Sequence, residues 1–254
     1  MTLALASLPD LAAELNAIAS SQDAAGRLAS LCDRLDGRIV FTTSFGLEDQ
    51  VLTHLIAAQK SPIQFATLDT GRLFPQTYDV WAQSEARYGV RVQPFYPQAE
   101  ATEAVVAKNG INGFYDSVEA RKACCGVRKV EPLARALAGA QGWVAGLRAD
   151  QSAHRGDLEF VTFDAERGLI KLNPLFDWTR ERARVFAADN GVPVNALHAK
   201  GFLSIGCAPC TRAVAADEPE RAGRWWWEEE TKRECGLHVG ADGRLTRSSG
   251  APQT

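Results

Sequence analysis

A chain of 254 residues with 46% hydrophobic composition can bury a substantial core, which suits one α/β domain or one domain with a small appendage. Its 28 basic and 31 acidic side chains give a net charge of -3 and a pI near 5.9, which excludes the general basic excess expected of a nucleic-acid-binding protein. No apolar run approaches the roughly 18 residues of a membrane span, and "MTLALASLPDLAAELNAIAS" carries Asp10 and Glu14 where a secretory leader would be basic and then apolar, so a cytoplasmic protein is expected.

Residues 8–35 place Leu, Ala and Ile at helical spacing, predicting one or two helices that stop at Asp36-Gly37. The period then changes. "RIVFTTSF" (38–45) and "IQFATLD" (63–69) are short β-rich runs separated by the helical "LEDQVLTHLIAAQK" and closed by Ser61-Pro62. "VRVQPF" (90–95) and "GWVAGL" (142–147) are further strand candidates, with helices predicted over 75–88 and about 121–138. Such alternation predicts right-handed βαβ units and a mostly parallel sheet flanked by helices, with ligands at the carboxyl ends of the strands. Residues 158–163 and 168–172 read as an antiparallel hairpin capping that sheet. Beyond Thr211 the chain turns charged and Trp-rich and loses periodicity, so a body over 1–211 and a short irregular C-terminal tail over 212–254 are expected.

In "FTTSFGLEDQVL" the small residues Ser44 and Gly46 lie between a strand and a helix start, where free backbone N–H groups face an anion. Glu48 and Asp49 suit the first helical turn. The next strand ends in "LDTGRLF", setting Asp69 and Thr70 to bond a ribose or base and Arg72 to pair with a phosphate. Either loop is equally a bare connection.

Six cysteines, at 32, 124, 125, 207, 210 and 235, read better in a reducing compartment as metal ligands or reactive thiols than as a disulfide framework. Cys207 and Cys210 in "SIGCAPCTRA" have the spacing at which two thiolates meet one metal centre. Cys124 and Cys125 in "EARKACCGVRKVEPLARAL" complete a set of four, but adjacent helical positions point about 100° apart. Three readings stand: a redox CxxC disulfide, which leaves the vicinal pair unexplained; a four-cysteine zinc site, which adjacent residues serve poorly; and a four-iron four-sulfur cluster, large enough for adjacent thiolates if the helix bends at Gly126. Lys122, Arg128, Lys129 and Arg212 would balance the thiolate charge. Cys32, in an apolar helix, reads as core.

Cys235 in "TKRECGLHVG" lies between cations and an acidic run that oppose each other on its pKa. Upstream, Arg221 and Arg224 in "EPERAGRWWWE" are spaced to clamp a phosphate or sulfate, and the tryptophans suit packing.

In the order "TTSFGLEDQVL", "LDTGRLFPQTY", "ACCGVRKVEPL", "GLRADQS", "SIGCAPCTR", "GRWWWE" and "ECGLH", these segments resemble the phosphoadenylyl-sulfate/adenylyl-sulfate reductase family, in its assimilatory adenylyl-sulfate branch. The resemblance implies an adenine nucleotide α-hydrolase-like (Rossmann-like) fold and one 4Fe-4S cluster on Cys124, Cys125, Cys207 and Cys210. It implies Cys235 as nucleophile, adenosine 5'-phosphosulfate as substrate and thioredoxin, or a glutaredoxin-like protein, as reductant. Its substrate-binding residues map to Ser44, Phe45, Gly46, Leu68, Asp69, Thr70, Arg72, Lys129, Arg148, Arg221 and Arg224, with His238 near Cys235. Members using the 3'-phosphorylated substrate generally lack both cysteine pairs, although some cluster-bearing relatives accept either. Two other readings are an ATP-dependent tRNA-thiolation relative, disfavoured by Phe45 and Glu48-Asp49 in the loop, and a non-catalytic metal-stabilised redox sensor. No nucleic acid or membrane is expected as partner, and self-association is left open.

Overall fold

The computed structural model describes residues 7–151 and 158–229. Two helices open the chain, α1 (Leu8–Ala19) and α2 (Ala24–Arg34), each started by a side-chain cap: Ser7 Oγ accepts from the Asp10 N–H and Asp23 Oδ1 from the Gly26 N–H. Alternation follows: β1 (Ile39–Thr42), α3 (Leu47–Ala58), β2 (Gln64–Leu68), α4 (Pro75–Tyr88), β3 (Val92–Phe95) and α5 (Ala99–Asn109). Then come α6 (Val118–Cys125), α7 (Glu131–Leu137), β4 (Gly142–Val144), β5 (Val161–Asp164), β6 (Leu169–Leu172) and α8 (Arg180–Asp189).

The six strands form one sheet in the order β3-β2-β1-β4-β6-β5. All neighbours are parallel except the β5/β6 edge pair, in which Val161 faces Leu172 and Asp164 faces Leu169. The parallel sheet and the hairpin are therefore as the alternation predicted. Successive residues point to opposite faces. Phe41 and Val144 join Leu28, Leu31, Val51 and Leu52 in the core under α1, α2, α3 and α8, while Val40 and Trp143 pack with Leu133 and Leu137 of α7 on the other side. Each fully buried leucine of this kind contributes roughly 1.5–3 kcal/mol.

Strand order reverses direction at β1, whose neighbours are β2 on one side and β4 on the other. A crevice opens beyond the carboxyl ends of strands at such a point.

Of the tail expected from residue 212, the described residues 212–229 form no helix or strand, yet they are not set apart from the body. Thr211 bridges Arg224, the Arg212 N–H bonds the Gly223 carbonyl (3.0 Å), and Trp225 is buried with Cys207 and Cys210. Side chains lock the segment down. Arg121 donates to Glu228 through Nε (2.9 Å) and Nη2 (2.7 Å), both residues nearly solvent-free.

Candidate active site beside a four-cysteine cleft

A pocket of about 200 Å³ lies across the carboxyl ends of β1, β2 and β4. Its floor comes from Thr42–Ser44, Thr67, Leu68, Ala145 and Gly146. Beside it, α3 begins at Gly46 without a side-chain cap, so its leading amides border the pocket.

The loop after β1 is fixed from below. Ser44 donates to Asp49 Oδ2 through its N–H (2.6 Å) and its hydroxyl (2.7 Å), and the Phe45 N–H donates to Thr43 Oγ1 (3.0 Å). Burial pushes the Asp49 carboxyl up to about 6; the Ser44 bonds oppose this and the Glu48 charge adds to it. Phe45 sits at φ 58°, the left-handed region. That geometry turns its ring inward, where it stacks on Trp81 with centroids 5.5 Å apart. The Phe45 side chain is thus core, and its backbone shapes the loop.

In the second loop Leu68 and Thr70 line the pocket, whereas the Asp69 carboxylate accepts from the Gly71 N–H (2.9 Å) and the Tyr78 hydroxyl (2.9 Å). Arg72 lies on the side of the cysteine cleft rather than among the residues lining the pocket. Its Nη2 donates to the Ile111 carbonyl (2.5 Å), its guanidinium covers Phe114, and it borders the cysteines.

Arg148 is not among the residues lining the pocket. It is fully buried, donating to Glu48 Oε1 (2.7 Å), Glu220 Oε2 (2.8 Å) and Asp150. Three carboxylates consume its charge, so it ties the β4 loop to α3 and to the Glu220 segment rather than facing the pocket. Lys129, Arg221 and Arg224 do line the pocket, together with Ser44 and Gly46. Sequence reasoning missed His198, a pocket-wall residue whose Nδ1 lies 2.8 Å from the Phe202 carbonyl, and Glu220. Neither carries a motif.

Cys124, Cys125, Cys207 and Cys210 line one narrow cleft with Arg128, Lys129 and Phe114. The helix changes form at Gly126, where a bend after the vicinal pair was expected. It widens into a π-turn over Gly126–Val130, closed by the Glu131 N–H on the Gly126 carbonyl, before α7 resumes. Burial pushes the Cys210 thiol up to about 12, the Cys207 sulfur adding to this and Lys129 and Arg224 opposing it. None of the described cysteines is in a disulfide, and among the described residues no three His, Cys, Asp or Glu side chains close on a single ion position. Pocket and cleft share a wall, since Lys129 and Cys207 line both. Cys235 and His238 lie outside the described residues.

The sheet and its crevice define an open, mostly parallel-sheet α/β protein with a pocket at the strand switch point. Residues 38–213 match the phosphoadenosine phosphosulfate reductase domain, and the chain belongs to that family. The adenosine 5'-phosphosulfate reductase of Agrobacterium fabrum is 52% identical over 95% of this chain and 92% of its own length. That of Rhizobium meliloti is 56% identical over 86% and 82%. The solved phosphoadenylyl-sulfate reductase of Candida auris, a phosphate complex, is similar with a TM-score of 0.69 at 25% identity, covering 84% of this chain and 99% of that one. Among the described residues no helix is long and apolar enough to cross a membrane.

Proposed function

We propose that the chain reduces adenosine 5'-phosphosulfate to sulfite and AMP, with Cys235 as nucleophile and a thioredoxin-type dithiol as reductant, in sulfate assimilation and cysteine biosynthesis. The observation that carries this reading is the placement of Lys129, Arg221 and Arg224 in a switch-point pocket that shares a wall with four cysteines.

The loop amides before α3 and the three cations hold the phosphosulfate, and the floor of β1 and β2 takes the nucleoside. The Cys235 thiolate attacks the sulfate sulfur, forming an S–S bond while the bond from sulfur to the bridging phosphate oxygen breaks; AMP leaves with that oxygen and its electron pair. The cations stabilise charge developing on the leaving phosphate. A reductant thiolate then attacks the Cys235 sulfur, and sulfite departs with the electron pair of the cleaved S–S bond. A second reductant thiol resolves the mixed disulfide.

The four thiols fit one 4Fe-4S cluster: they surround a shared cleft without converging on one ion, and the π-turn re-aims the chain immediately after the adjacent pair. Bound there, such a group would supply fixed charge and rigidity beside Lys129.

Incubation of the protein with adenosine 5'-phosphosulfate and no reductant, followed by intact-mass and peptide analysis, tests the reading. A sulfonate on Cys235, lost on adding thioredoxin, is the expected result. No adduct, or sulfite release undiminished in Cys235→Ser, would overturn it; ATP-dependent AMP release would instead favour a thiolation enzyme.

A further inference from the structure

Trp225 is 1% exposed and sits in the wall between pocket and cysteine cleft, packed with Cys207, Cys210 and Phe114. Three cations approach its ring: Arg224 Cζ at 4.7 Å, Arg121 Cζ at 5.0 Å and Lys129 Nζ at 5.9 Å from the centroid. Two of them, Lys129 and Arg224, line the pocket. Like charges converge around one side chain, and an indole face is the neutral group that best offsets their repulsion, because its quadrupole is negative above and below the ring.

The backbone is held for this. Trp225 adopts φ 44°, which a residue with a side chain rarely takes because its Cβ crowds the following carbonyl. Its N–H donates to the Cys210 carbonyl (3.2 Å) and its own carbonyl accepts from the Glu228 N–H (2.9 Å), while Glu228 is clamped by Arg121. Strain retained at a site and supported on both sides indicates that the ring's placement matters.

We infer that Trp225 is a positioning residue whose aromatic face gathers Lys129 and Arg224 into the geometry that receives the phosphosulfate. The inference rests on the function proposed above. It assigns the ring no contact with substrate; Trp225 acts through the two cations.

The test is to replace tryptophan globally by mono-, di- and trifluorotryptophan, which withdraw charge from the ring face with little change of shape, in the parent protein and in Trp225→Phe. Binding of adenosine 5'-phosphosulfate to Cys235→Ser versions of both and kcat/KM of the catalytically intact versions are read together. In the parent, affinity and kcat/KM are expected to fall stepwise with fluorination by roughly 3- to 30-fold in total. In Trp225→Phe they start lower and stay flat, which assigns the trend to position 225 rather than to the other tryptophans. A flat series in the parent, or an equal slope in both, would overturn the inference. Failure of the unsubstituted parent to release sulfite would remove the functional reading itself, and is seen before any fluorine is introduced.

Discussion

Thr70 Oγ1 lies 3.2 Å from Cys207 Sγ, joining the loop after β2 to the CxxC segment. The same hydroxyl accepts the Arg72 N–H at 3.2 Å, and nearby the Ala208 N–H donates to the Arg72 carbonyl (2.8 Å) and Arg128 Nη1 to the Thr70 carbonyl (2.6 Å). Two loops of the site and the basic stretch after Cys125 thus move as one unit. Thr70→Val keeps the shape and removes the hydroxyl, leaving the Arg72 N–H without this acceptor. The expected loss is about 1–2 kcal/mol in unfolding free energy, read by urea titration with an unchanged slope.

The Arg121 and Glu228 pair should show the asymmetry of a buried ion pair. Glu228→Gln leaves a guanidinium in a dry site and is expected to cost roughly 3–5 kcal/mol, whereas Arg121→Met combined with Glu228→Leu should recover most of it. A double-mutant cycle in urea measures the coupling. Losses in the two single variants that simply add in the double, giving a coupling near zero, would show the contact to be incidental.

Stability should also report the buried Asp49. Its folded carboxyl titrates near 6 against 3.8 for the ordinary group, so the folded state holds its proton more tightly than the unfolded chain. Stability from this group is therefore greatest below pH 4 and is lost as pH rises through the interval to about 6, by ~3 kcal/mol at most. The difference in unfolding free energy between the parent and Asp49→Asn should change across that interval and flatten above it. A difference independent of pH between 4 and 7 would rule out burial as the cause.

Much of this architecture was legible because periodicity reports burial. The runs at 38–45, 63–69, 90–95 and 142–147 announced β1 to β4, and the paired cysteines announced the cleft. Helix α5 escaped notice since none of its residues is buried, so no apolar stripe marks it. The surroundings of Phe45 and Arg148 were illegible for a different reason. A motif fixes where a residue stands in the chain, but one left-handed φ turned the Phe45 ring into the core, and Glu48 and Glu220 came from distant segments to join Asp150 around Arg148. The order of residues 212–229 is likewise held by side chains, as in the Arg212 pair with Glu218 (2.6 Å), and leaves no repeat to read.

Gly206 offers a way to move Arg224 without deleting it. A methyl group at Gly206 would lie 2.5 Å from Arg224 Cζ, inside the guanidinium's van der Waals envelope. Arg224 donates to Ser204 Oγ and the Ile205 carbonyl at 3.4 Å each, long contacts that yield more readily than the backbone. Gly206→Ala should therefore push the guanidinium off its position in the pocket wall while the Thr211–Arg224 bridge keeps the chain in place. In the role proposed for Arg224, losing one charge-assisted contact to the phosphosulfate is worth about 1.5–3 kcal/mol, so KM for adenosine 5'-phosphosulfate is expected to rise roughly 10- to 100-fold, with little change in thermal stability. Arg224→Lys should not rescue the loss, because an ammonium lacks the planar fork. If Gly206→Ala left KM unchanged while Arg224→Ala raised it, the side chain would serve the site from another position than the one seen here.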